Sequence, residues 1–233
     1  APEARAAGPG AFPLEPGSLH ARHRDSGLPL VAVLSYHQVS ATPDSSVDTV
    51  TPDALRAQIR SLKDAGWTFR RVGEVRGFYE KWNRLPDKTA VLTFDDGYLS
   101  FLTEVMPILR EENVPATLAV ITGFVDKPPH DMPLMMNWAE LRRVSQSGLV
   151  EIASHSHLLH MYGVGNPQGL SAPTGSSRLY FLNERRYETR DEYRDRILKD
   201  LTLSRLMLRK ELALDVDVLV WPFGEHNDVA RRV

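Results

Sequence analysis

Short apolar runs, regularly separated by amphipathic segments, decide what this chain can fold into. Leu30–Tyr36, Trp67–Val72, Ala90–Leu92, Val114–Ile121, Leu149–Ala153 and Asp217–Trp221 each read as a strand. The first is apolar almost throughout, as expected of a parallel strand covered on both faces. Between the first two, Thr51-Pro52-Asp53 opens a helix with an N-cap, a proline at its first position and an acid in its first turn. Leu55, Ile59 and Leu62 share one face of it, and Gly66 stops it. Further helices are expected near 75–83, from 102 to before Asn113, over 137–147, and from the capping box Thr189-Arg190-Asp191-Glu192 to about Leu212. Residues 38–50 and 122–136 read as loops, and 161–188, rich in Gly, Pro and Ser, as a functional lid or a mobile segment. Strands alternating with helices at this spacing predict an α/β fold with a parallel sheet or β/α barrel. The chain ends at Val233, too soon for a closed barrel.

With 42% apolar residues among 233, one substantial core is within reach, and a single domain over 29–233 is expected. Residues 1–28 read as a flexible N-terminal segment, since Ala1–Gly17 is rich in Ala, Pro and Gly without the basic start and apolar core of a signal peptide. A net charge of −2 argues against nucleic acid or an anionic membrane as the main partner. No apolar run approaches the roughly 18 residues of a spanning helix. Cysteine is absent, so histidine and carboxylate are the strong metal ligands on offer.

The chemistry gathers at strand ends. Thr93-Phe94-Asp95-Asp96-Gly97-Tyr98 places two adjacent carboxylates where the third run breaks into a turn. Close like charges raise each other's pKa, so such a pair is costly beside a buried strand unless something compensates it. A bound cation does so, with one carboxylate ligating it and the other free to take a proton. A solvated Asp-Asp-Gly turn is the plain alternative. Against it, the fifth run leads into Ser154-His155-Ser156-His157-Leu158-Leu159-His160. His37 stands at the end of the first run, and Trp221-Pro222-Phe223-Gly224 at the end of the last. In a parallel β/α fold these ends share one face. Two imidazoles and one carboxylate with open positions suit a catalytic zinc-type ion, and spacing leaves the pairs 155/160, 157/160 and 155/157 all open.

Thr-Phe-Asp-Asp-Gly, a Ser-His-Ser segment and a Pro-aromatic-Gly turn, in that order, resemble the polysaccharide deacetylases, carbohydrate esterase family four. Leu34-Ser35-Tyr36-His37-Gln38-Val39, Val150–Ser156 and Trp221–Glu225 are similar to the periplasmic branch that acts on poly-β-1,6-N-acetyl-D-glucosamine in biofilm export. The resemblance covers residues 30–230. It implies a distorted (β/α) barrel of the NodB-like type, here incomplete at its C-terminal end, and a divalent metal held by Asp-His-His. Residue by residue, Asp95 matches the catalytic base, Asp96 the metal-binding acid, His155 the first metal-binding histidine, and the backbone N–H of Tyr98 the oxyanion donor. The second histidine commonly stands four residues on, where this chain has Leu159. His160 is the better match, which makes His157 a neighbour. Trp221, Pro222 and Phe223 are expected to wall an acetyl pocket, and His37 to line the cleft. Two departures stand out. Val220 occupies the place of an Arg that braces the base, and the motifs that include the usual general acid have no match.

The expectation is metal-dependent N-deacetylation of poly-β-1,6-N-acetyl-D-glucosamine with release of acetate, and zinc, nickel and cobalt all suit the ligand set. The resemblance further implies an exported, periplasmic or outer-membrane-associated protein, a monomer, with a C-terminal glycoside hydrolase domain as a possible companion. Chitin or peptidoglycan as substrate, and a catalytically weak carbohydrate-binding module on the same fold, are the alternatives. A glycosidase using Asp95 and Asp96 is disfavoured, because neighbours on a strand point to opposite faces.

Overall fold

The computed structural model describes residues 28–42, 48–130 and 132–233, so the flexible segment expected over 1–28 lies, apart from Leu28, outside the described residues. A parallel sheet forms the centre. Strands β1 (Leu30–Tyr36), β2 (Gln38–Val39), β3 (Thr49–Val50), β4 (Thr68–Phe69), β5 (Lys88–Phe94), β6 (Ala116–Val120) and β7 (Val150–Ser154) come in chain order. Across the sheet the order is β1-β5-β6-β7. β1 matches β5 along its whole length, from Leu30 opposite Lys88 to Tyr36 opposite Phe94. On the other edge of β5, β4 takes Thr89 and Ala90 while β6 takes Thr93 and Phe94. All these pairs are parallel, as the βα alternation requires.

Helices α1 (Pro52–Asp64), α2 (Val72–Tyr79), α3 (Met106–Glu112), α4 (Trp138–Ser145) and α5 (Arg190–Leu212) connect or cover the strands. The expected caps form: Thr51 Oγ1 accepts from the Ala54 amide, and Thr189 and Glu192 complete a reciprocal capping box. Asn113 and Ala213 end α3 and α5 in the left-handed conformation. Ahead of Pro107, whose missing N–H interrupts the α ladder, Phe101–Val105 forms a π-turn. One apolar cluster fills the helix-covered side. It joins Leu55 and Ile59 of α1, Leu92 and Phe94 of β5, Leu118 and Val120 of β6, and Leu208 and Leu212 of α5. Tyr36 stacks on Phe94, whose ring meets Phe101 edge-on, both at 5.1 Å between centroids. Across the helix layer, Glu112 of α3 is clasped by Arg60 (2.6 Å) and Lys63 (2.9 Å) of α1.

Three expectations need correcting. The strand read at Asp217–Trp221 is a single parallel bridge between Ser154 and Leu219. Ser154, the last residue of β7, donates to Val218 and accepts from Val220, and the pairing goes no further among the described residues. Second, the loop over 38–50 contains the parallel pair β2–β3. Third, the segment 161–188 holds two antiparallel pairs, β8 (Tyr162–Val164) with β9 (Ser171–Pro173) and β10 (Tyr180–Phe181) with β11 (Arg186–Tyr187). It is tied to α5: Tyr193 Oη donates to the Gly175 carbonyl at 2.6 Å, and Arg196 donates to the carbonyls of Thr174 and Ser177. Among the described residues no helix is long and apolar enough to cross a membrane.

Leu118 is fully buried in the main cluster, so Leu118→Ala should lower the unfolding free energy by about 3 kcal/mol, read from urea denaturation. Lys63 and then Arg60 hold the Glu112 carboxyl below its ordinary range. A depressed pKa contributes stability above the unfolded value and loses it as pH falls through the folded one. Glu112→Gln should therefore flatten the acid limb of the stability–pH curve, measured by urea midpoints below pH about 5.

Candidate active site

The side of the sheet facing away from the main cluster opens into a cleft of about 920 Å³ at the strand ends. Period-two alternation selects what faces it. On β1, Leu34 and Tyr36 join the core, whereas Val33 and Ser35 line the cleft. On β5, Leu92 and Phe94 are core, whereas Thr93 lines the cleft, and Asp95 continues that inward face. The Asp95 amide still belongs to the ladder, donating to the Tyr36 carbonyl at 2.9 Å. Asp96 should then point back into the core, but its φ of 72° and that of Gly97, 96°, rotate it onto the same side. The opposite-faces argument from sequence fails at this point, because the strand has ended.

Two more strand ends do the same. Ser156 follows β7 with φ 70°, and Phe223 follows the last bridge with φ 58°. A non-glycine residue in the left-handed region costs about 1–3 kcal/mol and persists only where its surroundings fix it. The residues it redirects here are those singled out by motif.

Asp96, His155 and His160 come together with their ligand atoms within 4.8 Å of one another. Both histidine Nε2 atoms lie 3.5 Å from Asp96 Oδ1. Of the three pairs that spacing left open, 155 and 160 are the two brought onto one carboxylate. Val220 supports it through its backbone: its carbonyl oxygen lies 2.9 Å from His155 Nδ1, leaving Nε2 to the cluster. His157 is turned away, its Nδ1 3.0 Å from Thr122 Oγ1. Burial pushes the His155 imidazole down to about 4 and lowers that of His160, so both favour the neutral, ligating form. Asp96 Oδ1 is buried without a hydrogen-bond partner among the described residues. A buried carboxylate oxygen facing two lone pairs is short of positive charge, and this donor set fits a divalent cation.

Asp95 is set apart from the cluster. Its Oδ2 accepts from Ser35 Oγ at 3.1 Å, and Oδ1 has no partner among the described residues. Burial raises its carboxyl to about 6, against the lowering effects of His37 and the Ser35 bond. His37 lines the cleft from the end of β1. Tyr98 is buried, its phenol pushed up by burial and the nearby Asp96 charge. Phe223 packs on His160 at 4.3 Å between centroids, and Tyr162 of β8 packs on Phe223 at 4.8 Å. Trp221 lines the cleft and backs onto Leu159, Tyr193 and Ile197. Pro222 is buried and is not among the cleft-lining residues. Sequence reasoning assigned no role to Ser35 or Tyr162. Ser35 had a signal in its inward phase on β1, two residues before His37, whereas Tyr162 had none.

A profile of the family described as Polysaccharide deacetylase matches residues 83–233. A protein of Escherichia coli K12 named poly-beta-1,6-N-acetyl-D-glucosamine N-deacetylase is 36% identical, the alignment covering 84% of this chain and 31% of the relative. A protein of the same name from Staphylococcus aureus N315 is 26% identical over 77% of this chain and 55% of its own length. The chain thus spans about a third to a half of these curated relatives. Among solved structures, a deacetylase domain of Bordetella bronchiseptica superposes with TM-score 0.75 at 34% identity, covering 87% of this chain and 83% of that one. A de-N-acetylase of Aggregatibacter actinomycetemcomitans gives 0.79 at 30% identity, with 87% and 82% covered. With the family profile matched over well over half its length, and with the motif residues gathered at one cleft, this chain belongs to the polysaccharide deacetylase family.

Proposed function

We propose that this domain hydrolyses the N-acetyl groups of a β-linked N-acetylglucosamine polymer, with poly-β-1,6-N-acetyl-D-glucosamine as the substrate its relatives' names favour. The observation that carries the reading is a base-like carboxylate, Asp95, beside a buried Asp96–His155–His160 cluster in an open cleft. Asp96 Oδ1 and the two Nε2 atoms would hold the ion, with zinc, nickel and cobalt all chemically suited. A divalent cation bound there would polarise the acetyl carbonyl and acidify a water to near neutrality.

The chain's own groups supply the rest. Asp95, poised at about 6, is ionised near neutral pH yet basic enough to take the attacking water's proton. Ser35 fixes its orientation from β1, the service expected of the absent Arg at position 220. As water adds to the acetyl carbon, the Tyr98 amide supports the developing oxyanion. The C–N bond then breaks, and the nitrogen needs a proton to leave as a free amine. His37, the imidazole that lines the cleft at the end of β1, takes this role. Acetate and an amino sugar are the products. Phe223 and Trp221 form an apolar wall at the cluster, as an acetyl methyl requires. A near-neutral protein has no electrostatic objection to an uncharged polymer.

Acetate release from N-acetylglucosamine oligomers, with and without chelator, tests the reading. Release should stop on metal removal and return with added divalent ion. Binding without release would favour the carbohydrate-binding module, and chelator-insensitive sugar cleavage the glycosidase. Asp96→Ala should abolish metal uptake and acetate release together, whereas Asp95→Asn should keep metal uptake and lower kcat roughly 10²–10⁴-fold. If His37 delivers the proton, His37→Gln should lower kcat by a similar ~10²–10⁴-fold and largely spare KM. The loss should shrink for activated N-acyl substrates whose leaving group needs no proton.

A further inference from the structure

His155 and His160 lie five residues apart on a segment with neither helix nor strand between them. Two such imidazoles meet one carboxylate oxygen only if the intervening backbone keeps a single conformation. That backbone is held from several sides. The Thr122 amide donates to the Ser156 carbonyl at 3.1 Å, and the Gly123 amide to the His157 carbonyl at 3.0 Å. The approach is close enough that a Cβ on Gly123 would sit 2.5 Å from that oxygen. On the opposite side stands α5. Asp200 Oδ1 accepts from the His157 amide and Oδ2 from the Leu158 amide, each at 2.8 Å. One turn along, Ser204 Oγ lies 2.8 Å from Ser154 Oγ, which accepts from the Ser156 amide at 3.1 Å. Asp200 is the one ionisable side chain among these partners, and it takes two consecutive amides. Its neighbour Arg196, which could have claimed it, is engaged with Glu188. Charge-assisted bonds of this length are about twice as strong as neutral ones.

We propose that Asp200 is a positioning residue for the metal centre: by clamping the amides of His157 and Leu158 it sets the separation of His155 and His160 before a cation arrives. The proposal rests on the reading of Asp96, His155 and His160 as the cation's cradle. Asp200 lies outside the cleft lining and bonds the loop's amides, so it acts through the loop. Outer partners that orient metal ligands typically contribute 10–100-fold to affinity.

The test is titration of the chelator-stripped chain with Zn²⁺ and with Co²⁺, comparing wild type with Asp200→Asn, which keeps the side chain's size and one acceptor oxygen. The expected result is a metal Kd raised roughly 10–100-fold and an altered Co²⁺ absorption spectrum, in a variant that still melts cooperatively without metal. A cooperatively folded Asp200→Asn with wild-type Kd and an unchanged spectrum would overturn the clamp and leave the deacetylase reading standing. A wild-type chain that takes up no cation would overturn both. Should Asp200→Asn fail to fold, amide exchange on metal-free wild type decides. The His157 and Leu158 amides should be strongly protected, and exchange at the rate of an exposed loop would refute the clamp.

Discussion

The site depends on defeating a rule of β geometry. Consecutive side chains on a strand part to opposite faces, yet Asp95 and Asp96 both line the cleft, one within the histidine cluster and one apart from it. The chain achieves this by keeping Asp95 on the ladder and placing Asp96, with φ 72°, just beyond it. The carboxylates therefore differ in kind. Asp96 faces two imidazoles, while Asp95 is held by Ser35 and raised by burial. Two identical residues acquire different electrostatic environments from their surroundings alone.

Such strain has to be supported, and the packing shows how. Asp96, Ser156 and Phe223 each adopt a conformation that L residues avoid, and each follows a segment locked into the sheet. The full-length register of β1 on β5 fixes Asp95 and Asp96 from one edge. Beneath the sheet, the Thr117 hydroxyl and the Glu151 carboxylate accept the first amides of α2, which satisfies polar groups on the inward face. The cleft floor is thus knitted together by residues outside the Asp96–His155–His160 cluster.

Much of the architecture was legible because α/β folds signal themselves twice, by period and by cap. Thr51, Thr189 and Asn113 marked helix ends that the structure keeps. The convergence of strand ends followed from parallel topology alone. What escaped were features set by tertiary competition. The run 217–221 has the composition of a strand, but among the described residues it meets β7 at the single residue Ser154, where that strand ends. The stretch between the two hairpins of 161–188 is tied down by Tyr193 and Arg196 on the helix that follows, through side-chain bonds that no local pattern announces. Spacing could not choose among the three histidine pairs, since the choice lies in the path of residues 156–159. Ser35 was read only as part of the Leu34–Val39 stretch, because nothing local to a serine on an apolar strand names Asp95 as its partner, although its phase was readable.

The hydrogen bond from His155 to the Val220 carbonyl has an evolutionary corollary. An imidazole aimed by a main-chain oxygen is indifferent to which amino acid supplies that oxygen. Position 220 is then free to drift without disturbing the imidazole, provided the chain's course through it is preserved. As far as this imidazole is concerned, selection at that point would act on the polypeptide's trajectory, not on its alphabet.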